Sequence, residues 1–266
     1  MNRNRKKIDE IGLILPIMIL IAWYFSTHSG IIPDYLFPGP GRFFQVMIDF
    51  IFGGAQLTPY SGKMMDNLWV SCLRVLIGFG LAAAAGILLG FLSGRKRFIR
   101  RMIDPLIQMI RTVPGIGWLP LALIWFGIGE GTTVFLIALA AFFPIYLNVV
   151  DGASSVPESF IRAGQMLGAD QMSLFRTVIF PSAFPSMVVG LRLGLGVSWA
   201  YLVLGELTGV SLGLGAVLMD SRMLGQVEMI PVTMLVIAVM GFISDRLLIF
   251  ICRQIYSDYE RGAHGN

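Results

Sequence analysis

The sequence predicts an all-α membrane protein with six transmembrane helices, because charges are few, apolar runs are long and basic residues cluster in alternate connections. Of its 266 residues, 56% are hydrophobic and 14% are charged, whereas about 25% of the residues in soluble domains are charged. Crossing ~30 Å of hydrocarbon takes ~20 apolar residues per helix. The predicted spans are 11–28, 67–92, 103–128, 132–150, 182–207 and 229–251. We expect residues 1–266 to form a single transmembrane domain.

The distribution of basic residues predicts that both termini lie in the cytoplasm. Short loops rich in Lys and Arg stay on the cytoplasmic side of a membrane. Basic residues gather in the N-terminal segment, in the sequence RKRFIRR at 95–101, at 162–176 and in the C-terminal tail. All four places fall on one side of a six-span topology, so we expect a multi-pass membrane protein with these segments on the cytoplasmic side. A nucleic-acid site at 95–101 fits less well, because that cluster lies between two spans.

The first apolar run, at 11–25, follows a basic segment and could therefore be a secretory signal peptide. No small-residue cleavage site follows it, so we predict an uncleaved first span. Residues 29–65 then form a long external connection that contains a short amphipathic helix at 42–52. A second external connection, rich in glycine, is expected at 208–228.

Small residues predict close helix packing in the second and fifth spans, because they let helix backbones approach each other. They recur at Ala82, Gly86, Gly90 and Gly94, and at Gly190, Gly194 and Gly196. The third span contains Pro105, Pro114 and Pro120. Proline removes a backbone donor and kinks a helix, which a membrane tolerates where neighbours or water satisfy the freed carbonyl. We therefore expect a kinked third span.

The connection between the fourth and fifth spans, residues 155–181, contains strong helix start and stop signals. Ser155 and Glu158 have the spacing of a capping box, which predicts a short helix that ends near residue 167. Gly168 can supply the left-handed residue after that helix, and Asp170 can cap a second one. A helix-turn-helix in a cytoplasmic connection indicates a docking element. The alternative is an amphipathic helix that rests on the membrane surface.

One motif in this connection points to a family. From residue 162 to residue 181 the sequence reads R-A-G, three residues, G, nine residues, V-x-F-P. It resembles the EAA motif of ABC importer permeases, with Arg162 in the place of the glutamate. The resemblance implies a type I permease fold in which this connection is a coupling helix that contacts an ATPase. The residues implicated are Glu158, Arg162, Ala163, Gly164, Gly168, Ala169, Val178 and Pro181.

Two further stretches are similar to permeases for taurine, alkanesulfonates and nitrate. They are VPGIGWLPLALIWFGIGE at 113–130 and residues 180–207. Permeases for bicarbonate, aromatic acids and pyrimidine precursors share the pattern, so the substrate stays open. The resemblance implies a homodimer, two copies of a cytoplasmic ATPase that uses ATP and Mg, and an external solute-binding protein.

Deep arginines suggest a path for an anion. Arg192 lies eleven residues after Pro181, which is ~16 Å along a helix, and Arg111 and Arg74 lie roughly 12 Å from their span ends. A charge at such depth normally faces a cavity or a partner. We expect no acid at comparable depth, which favours a cavity that tolerates anions. Snorkelling or capping of broken-helix carbonyls is the alternative.

The candidate path residues are Arg192, Arg111, Arg74, Trp118, Trp199 and Glu206. The two tryptophans could instead anchor at the membrane interface. Glu206, predicted near the outer end of its span, could instead pair with a base, meet the binding protein or act in gating.

Two other classes of function fit the sequence less well. An ion-coupled secondary transporter tends to have acids at mid-membrane and internal repeats, and we find neither. A membrane-embedded enzyme needs a nucleophile or a metal cluster. The chain has no phosphate-binding loop of the GxxxxGK type, so a partner must hydrolyse ATP. We therefore predict a non-catalytic transport subunit that binds no metal or cofactor itself.

Overall fold

The computed structural model describes residues 3–30, 33 and 36–264, with side chains described for residues 14–30, 33 and 36–256. Every regular element within these residues is a helix. The helices are α1 (Arg3–His28), α2 (Pro40–Phe52), α3 (Met64–Arg95), α4 (Arg97–Thr112), α5 (Leu119–Phe126), α6 (Glu130–Ser154), α7 (Glu158–Met166), α8 (Gln171–Leu174), α9 (Phe180–Glu206), α10 (Leu214–Met223) and α11 (Met229–His264). A 3-10 turn, Gly115–Trp118, precedes α5, and a π-helical segment, Phe175–Ile179, joins α8 to α9. The predicted all-α class is confirmed.

Four stretches are long and apolar enough to cross a membrane, namely Met64–Arg95, Glu130–Ser154, Gln171–Glu206 and Met229–Tyr256. They correspond to the second, fourth, fifth and sixth predicted spans. The third predicted span is a bent pair of helices, which gives five spans if the pair counts as one. The first predicted span falls in α1, where the stretch with described side chains, Ile14–His28, is apolar but shorter. The side chains of the basic N-terminal segment, and those of the tail after residue 256, lie outside the described ones.

The third predicted span breaks more sharply than a kink. The arms Arg97–Thr112 and Gly115–Phe126 are bent by 91°. Val113 adopts an extended conformation, with φ −71° and ψ 120°, because the ring of the following proline disfavours helical backbone at the preceding residue. Pro105 lies inside α4 and does not end it. The break therefore comes from Pro114.

The chain divides into two compact units, and the first consists of Met1–Asn67 and Val217–Val236. Its helix α2 confirms the helix predicted at 42–52. The buried Asp49 carboxylate accepts hydrogen bonds from the backbone of residues 55, 56 and 57 and from the Ser61 hydroxyl. Burial opposes ionisation, but these bonds outweigh it and hold the pKa of Asp49 below its ordinary value. This carboxylate therefore fixes the loop after α2.

The second unit, Leu68–Ala216 with Ile237–Asn266, is built around α6. Ala141, Ile145, Val149 and Ala153 form a completely buried stripe on this helix. The stripe lies between the glycines of α3 and those of α9. A Cβ atom added at Gly86 would lie 2.8 Å from Ile145 Cγ2.

The other glycines of the two stripes approach α6 as closely, with one exception. An added Cβ would lie 2.7 Å from Val149 Cβ at Gly90 and 2.8 Å from Ile145 Cγ1 at Gly194. Both predicted small-residue stripes are thus confirmed as contacts with α6. Gly196 is the exception, because it faces open space.

Gly194→Ala should lower the stability of the protein by about 1–3 kcal/mol, because the new methyl group overpacks the contact with Ile145. Gly196→Ala, two residues along the same helix, is the matched control and should not destabilise. Unfolding midpoints of the two purified variants in detergent test this. Equal losses at both positions would show that α9 does not depend on the close approach to α6.

Candidate functional site

The predicted helix-turn-helix between the fourth and fifth spans is present as α7 and α8. Gly168 has φ +82° and follows the end of α7. Its N–H donates to the carbonyl of Gln165, and the N–H of Ala169 donates to the carbonyl of Gly164. These two bonds form a Schellman motif, which satisfies the last carbonyls of α7. The prediction that Gly168 ends this helix in the left-handed conformation is confirmed.

The two helix starts differ from one another. Asp170 caps α8 by accepting a hydrogen bond of 3.1 Å from the Ser173 N–H. Hydrogen bonds from the Ser173 side chain and backbone lower the pKa of Asp170. The capping box predicted from Ser155 is wrong, because α6 runs to Ser154 and the Ser155 hydroxyl donates back to Gly152 O at 2.9 Å. Glu158 instead forms an exposed ion pair of 2.9 Å with Arg162.

The surface of α7 combines an apolar tip with a close contact to α8. Met166 and Leu167 are each 88% exposed, and Phe160 is also exposed. A Cβ added at Gly164 would lie 2.5 Å from Leu174 Cδ2, so α8 packs directly on this glycine. Val178 lies in the π-helical segment, and Pro181 lies in the first turn of α9. The loop therefore continues into α9 without a break.

Arg74 and Glu206 form a buried ion pair at 2.7 Å. The Glu206 side chain is 0% exposed, and it also accepts hydrogen bonds from the Ser71 hydroxyl and the Gly215 N–H. Arg74 Nη1 also donates to Leu212 O at 2.7 Å. The network thus joins α3 to the end of α9 and to the loop that follows.

A second ion pair joins α9 to α11. Arg192 Nε and Nη2 donate to the two carboxylate oxygens of Asp245, at 2.8 and 3.0 Å. Next to this pair, Trp199 Nε1 donates to the Ser244 hydroxyl at 2.9 Å. The expectation that no acid lies as deep as these arginines is wrong for Arg192 and Arg74. The signal missed was Asp245, an acid within the predicted sixth span.

Arg111 and Trp118 line a cavity of about 210 Å³ at the break between α4 and α5. Tyr201 of α9 completes its polar surface, and the ring lies so close that a Cβ at Gly115 would meet its hydroxyl. Trp118 Nε1 is buried and has no hydrogen-bond partner in the described part of the chain. No carboxylate lines the cavity, and none of the described acids pairs with Arg111. The cavity therefore presents a positive charge and the polar side chain of Tyr201 to a small anion, with the Trp118 N–H buried in its wall.

Residues 85–255 match the family model of the binding-protein-dependent transport system inner membrane component. The chain belongs to this family. It is a non-catalytic, multi-pass permease subunit of the ABC type, as the sequence predicted.

Named relatives narrow the type of permease. The chain is 32% identical to the putative aliphatic sulfonates transport permease protein SsuC of Bacillus subtilis, over 92% of this chain and 86% of that protein. It is 34% identical to the taurine transport system permease protein TauC of Escherichia coli, over 91% of this chain and 86% of that protein. The permease is thus of the type that includes sulfonate, taurine and nitrate permeases.

A solved structure supports the fold. A chain of the MetNI methionine ABC transporter superposes with a TM-score of 0.61 at 18% identity, and the match covers 74% of this permease and 95% of that chain. At this identity the likeness shows the fold alone. The permease therefore has the ABC type I architecture that the sequence predicted.

Glu206→Gln should destabilise the permease by about 3–5 kcal/mol, because it removes the buried carboxylate and leaves the Arg74 cation with only the exposed Glu130 carboxylate, at 3.7 Å, as an ionic partner. Glu158→Gln is the matched control: it breaks an ion pair of similar length, 2.9 Å, that is exposed, and such pairs are worth about 0–1 kcal/mol. Unfolding midpoints in detergent measure both. A loss for Glu206→Gln no larger than that of the control would contradict a stabilising role for the buried pair.

Proposed function

We propose that this permease imports a small oxyanion, such as taurine, an alkanesulfonate or nitrate, across the bacterial cytoplasmic membrane in an ATP-driven ABC importer. The observation that carries the proposal is the cavity with Arg111, the unpartnered Trp118 N–H and no carboxylate. The substrates in the names of SsuC and TauC, aliphatic sulfonates and taurine, share a sulfonate group. These sulfonate substrates agree with the chemistry of the cavity.

The cavity suits a small oxyanion in both charge and size. A guanidinium presents a planar fork of donors that matches the oxygens of an oxyanion. A buried donor without a partner is costly, so an acceptor oxygen placed near Trp118 Nε1 gains a favourable bond. The volume of about 210 Å³ is below the ~300–1,000 Å³ of pockets for drug-sized ligands. These features favour a compact solute that presents an oxyanion group.

The other candidate path residues have different contacts, and we propose structural roles for them. The charged groups of Arg74, Arg192 and Glu206 are engaged in ion pairs between elements of the second unit. The Trp199 N–H is engaged with Ser244. We retain Arg111 and Trp118 as substrate contacts and add Tyr201, which reaches the same cavity.

We further propose that the chain forms six spans with both termini in the cytoplasm and that the loop at 155–181 is the coupling helix. The exposed apolar tip at Met166 and Leu167 would insert into a groove of the ATPase. Because the loop continues directly into α9, a movement of α7 would be transmitted along α9 to Tyr201 at the cavity. The assembly would contain two copies of this permease, two ATPase subunits that bind ATP and Mg, and an external solute-binding protein.

Arg111→Gln should reduce uptake of the transported anion roughly tenfold or more, because a hydrogen bond to a charged group is worth about 1.5–3 kcal/mol. Arg101→Gln, on the same helix but outside the cavity lining, is the matched control and should transport normally. Uptake of taurine, ethanesulfonate, nitrate, bicarbonate and benzoate is measured in proteoliposomes with the ATPase and the binding protein. Unchanged uptake of every anion by Arg111→Gln would refute the assignment of the cavity.

Gly168→Val should uncouple ATP hydrolysis from transport, because a β-branched residue resists the left-handed conformation that ends α7. Gly168→Asn is the matched control, since asparagine adopts that conformation more readily. An added Cβ meets nothing within 4 Å at this position, so the comparison isolates the backbone effect. The ratio of solute transported to ATP hydrolysed, with the unfolding midpoint as a check on folding, tests the prediction. Normal coupling in Gly168→Val would count against the coupling role.

A further inference from the structure

A cavity with no assigned role lies between α9 and α11, and its volume is about 500 Å³. Phe184 and Val188 of α9 and Ile249 of α11 contribute apolar walls. Arg192, Arg253 and Tyr256 contribute its polar groups. This cavity shares no lining residue with the one that contains Arg111.

The polar groups are separated along the cavity. Arg253 and Tyr256 lie at the end of the apolar stretch Met229–Tyr256. Asp245 lies eleven residues before Tyr256, or ~16 Å along the helix. Its carboxylate engages Arg192 at 2.8 Å. The cavity is therefore charge-compensated at its deep end and apolar along its walls.

The mouth carries a positive charge that has no ion-pair partner among the described side chains. Arg253 is exposed and forms no ion pair with any residue whose side chain the structure describes. Tyr256 packs its ring against Phe184, with 5.2 Å between the ring centroids. Phe184 lies one turn after Pro181, so the mouth is at the same end of α9 as the coupling loop. In the proposed topology this is the level of the cytoplasmic leaflet.

We propose that this cavity, here called the α9–α11 groove, binds an anionic phospholipid, with one acyl chain against Val188 and Ile249 and the phosphate on Arg253. A small water-soluble anion would leave the apolar walls without a ligand. A zwitterionic lipid would bring a second, cationic group to a mouth whose described lining residues include no carboxylate. Basic pockets between transmembrane helices on the cytoplasmic side have the chemistry that anionic headgroups need.

A second copy of the chain is the main alternative occupant of the α9–α11 groove, because α11 is mostly exposed in the single chain. Only 6% of the most apolar stretch of α11 is buried. A protein partner at this groove would have to present an acid to Arg253. A phospholipid supplies the negative charge and the apolar chain in one molecule, which is why we assign the groove to lipid.

Lipid retention tests the proposal directly. The full chain is purified from mixed phosphatidylglycerol and phosphatidylcholine vesicles, and the lipids that remain bound are counted by native mass spectrometry. We expect a preference for phosphatidylglycerol that Arg253→Gln reduces about fivefold, the effect of one basic side chain near an anionic headgroup. Arg246→Gln is the matched control, because Arg246 lies on the same helix and stacks on Phe242 outside the groove.

A second variant separates the contribution of the headgroup contact from that of the acyl-chain contact. Val188→Trp fills the groove and leaves Arg253 in place, so it should also abolish retention of phosphatidylglycerol while the unfolding midpoint of the lipid-free protein is kept. Retention unchanged in both Arg253→Gln and Val188→Trp would overturn the proposal. A disulfide between two copies of Ile249→Cys, in a background with Cys72 and Cys252 replaced by serine, would assign the groove to a second copy and also overturn it.

Discussion

The close approach of α6 to two neighbouring helices is the constraint on which the second unit depends. Its completely buried stripe meets glycines on both sides, and Ile145 touches the positions of Gly86 and Gly194 at once. Lipid tails are as apolar as leucine, so hydrophobicity alone does not associate helices within a bilayer. Van der Waals contact at glycine positions therefore holds α3, α6 and α9 together.

Because the backbones of α3, α6 and α9 are so close, little space remains between these helices for charged side chains. Arg74 and Arg192 each meet a carboxylate from another element of the unit, which removes the cost of a lone charge at depth. Arg111 does not meet a described carboxylate, because the break at Pro114 turns the chain away and opens a cavity beside this arginine. The break at Pro114 thus leaves Arg111 beside a cavity, whereas Arg74 and Arg192 are held in ion pairs.

Local and periodic signals were the part of the structure that the sequence could predict. Apolar runs predicted the positions of α3, α6, α9 and α11. The small-residue stripes predicted close packing of α3 and α9, although they did not identify α6 as the partner helix. Gly168 and Asp170 were predicted correctly because their roles depend on neighbouring residues alone. Ser155 was not, since its hydroxyl bonds back into α6, whose end lay four residues beyond the predicted one.

Pairings across the fold were beyond the reach of such signals. Nothing in the order of residues places Asp245 opposite Arg192, because 53 positions separate them. The cavity beside Arg111 needs Tyr201 from a distant helix and a bend of 91°. The predicted kink at the prolines was correct in kind, but a hinge angle depends on what the two arms pack against.

The Glu206 carboxylate has a consequence for how this chain can vary. A Cβ at Gly213 would lie 2.5 Å from that carboxylate, and the residue has φ +137°. Glycine at 213, glutamate at 206 and arginine at 74 are therefore structurally coupled, although they are far apart in the sequence. A side chain at position 213 would displace the carboxylate that pairs with Arg74, so the loop after α9 is restricted to glycine there by an ion pair that begins in α3.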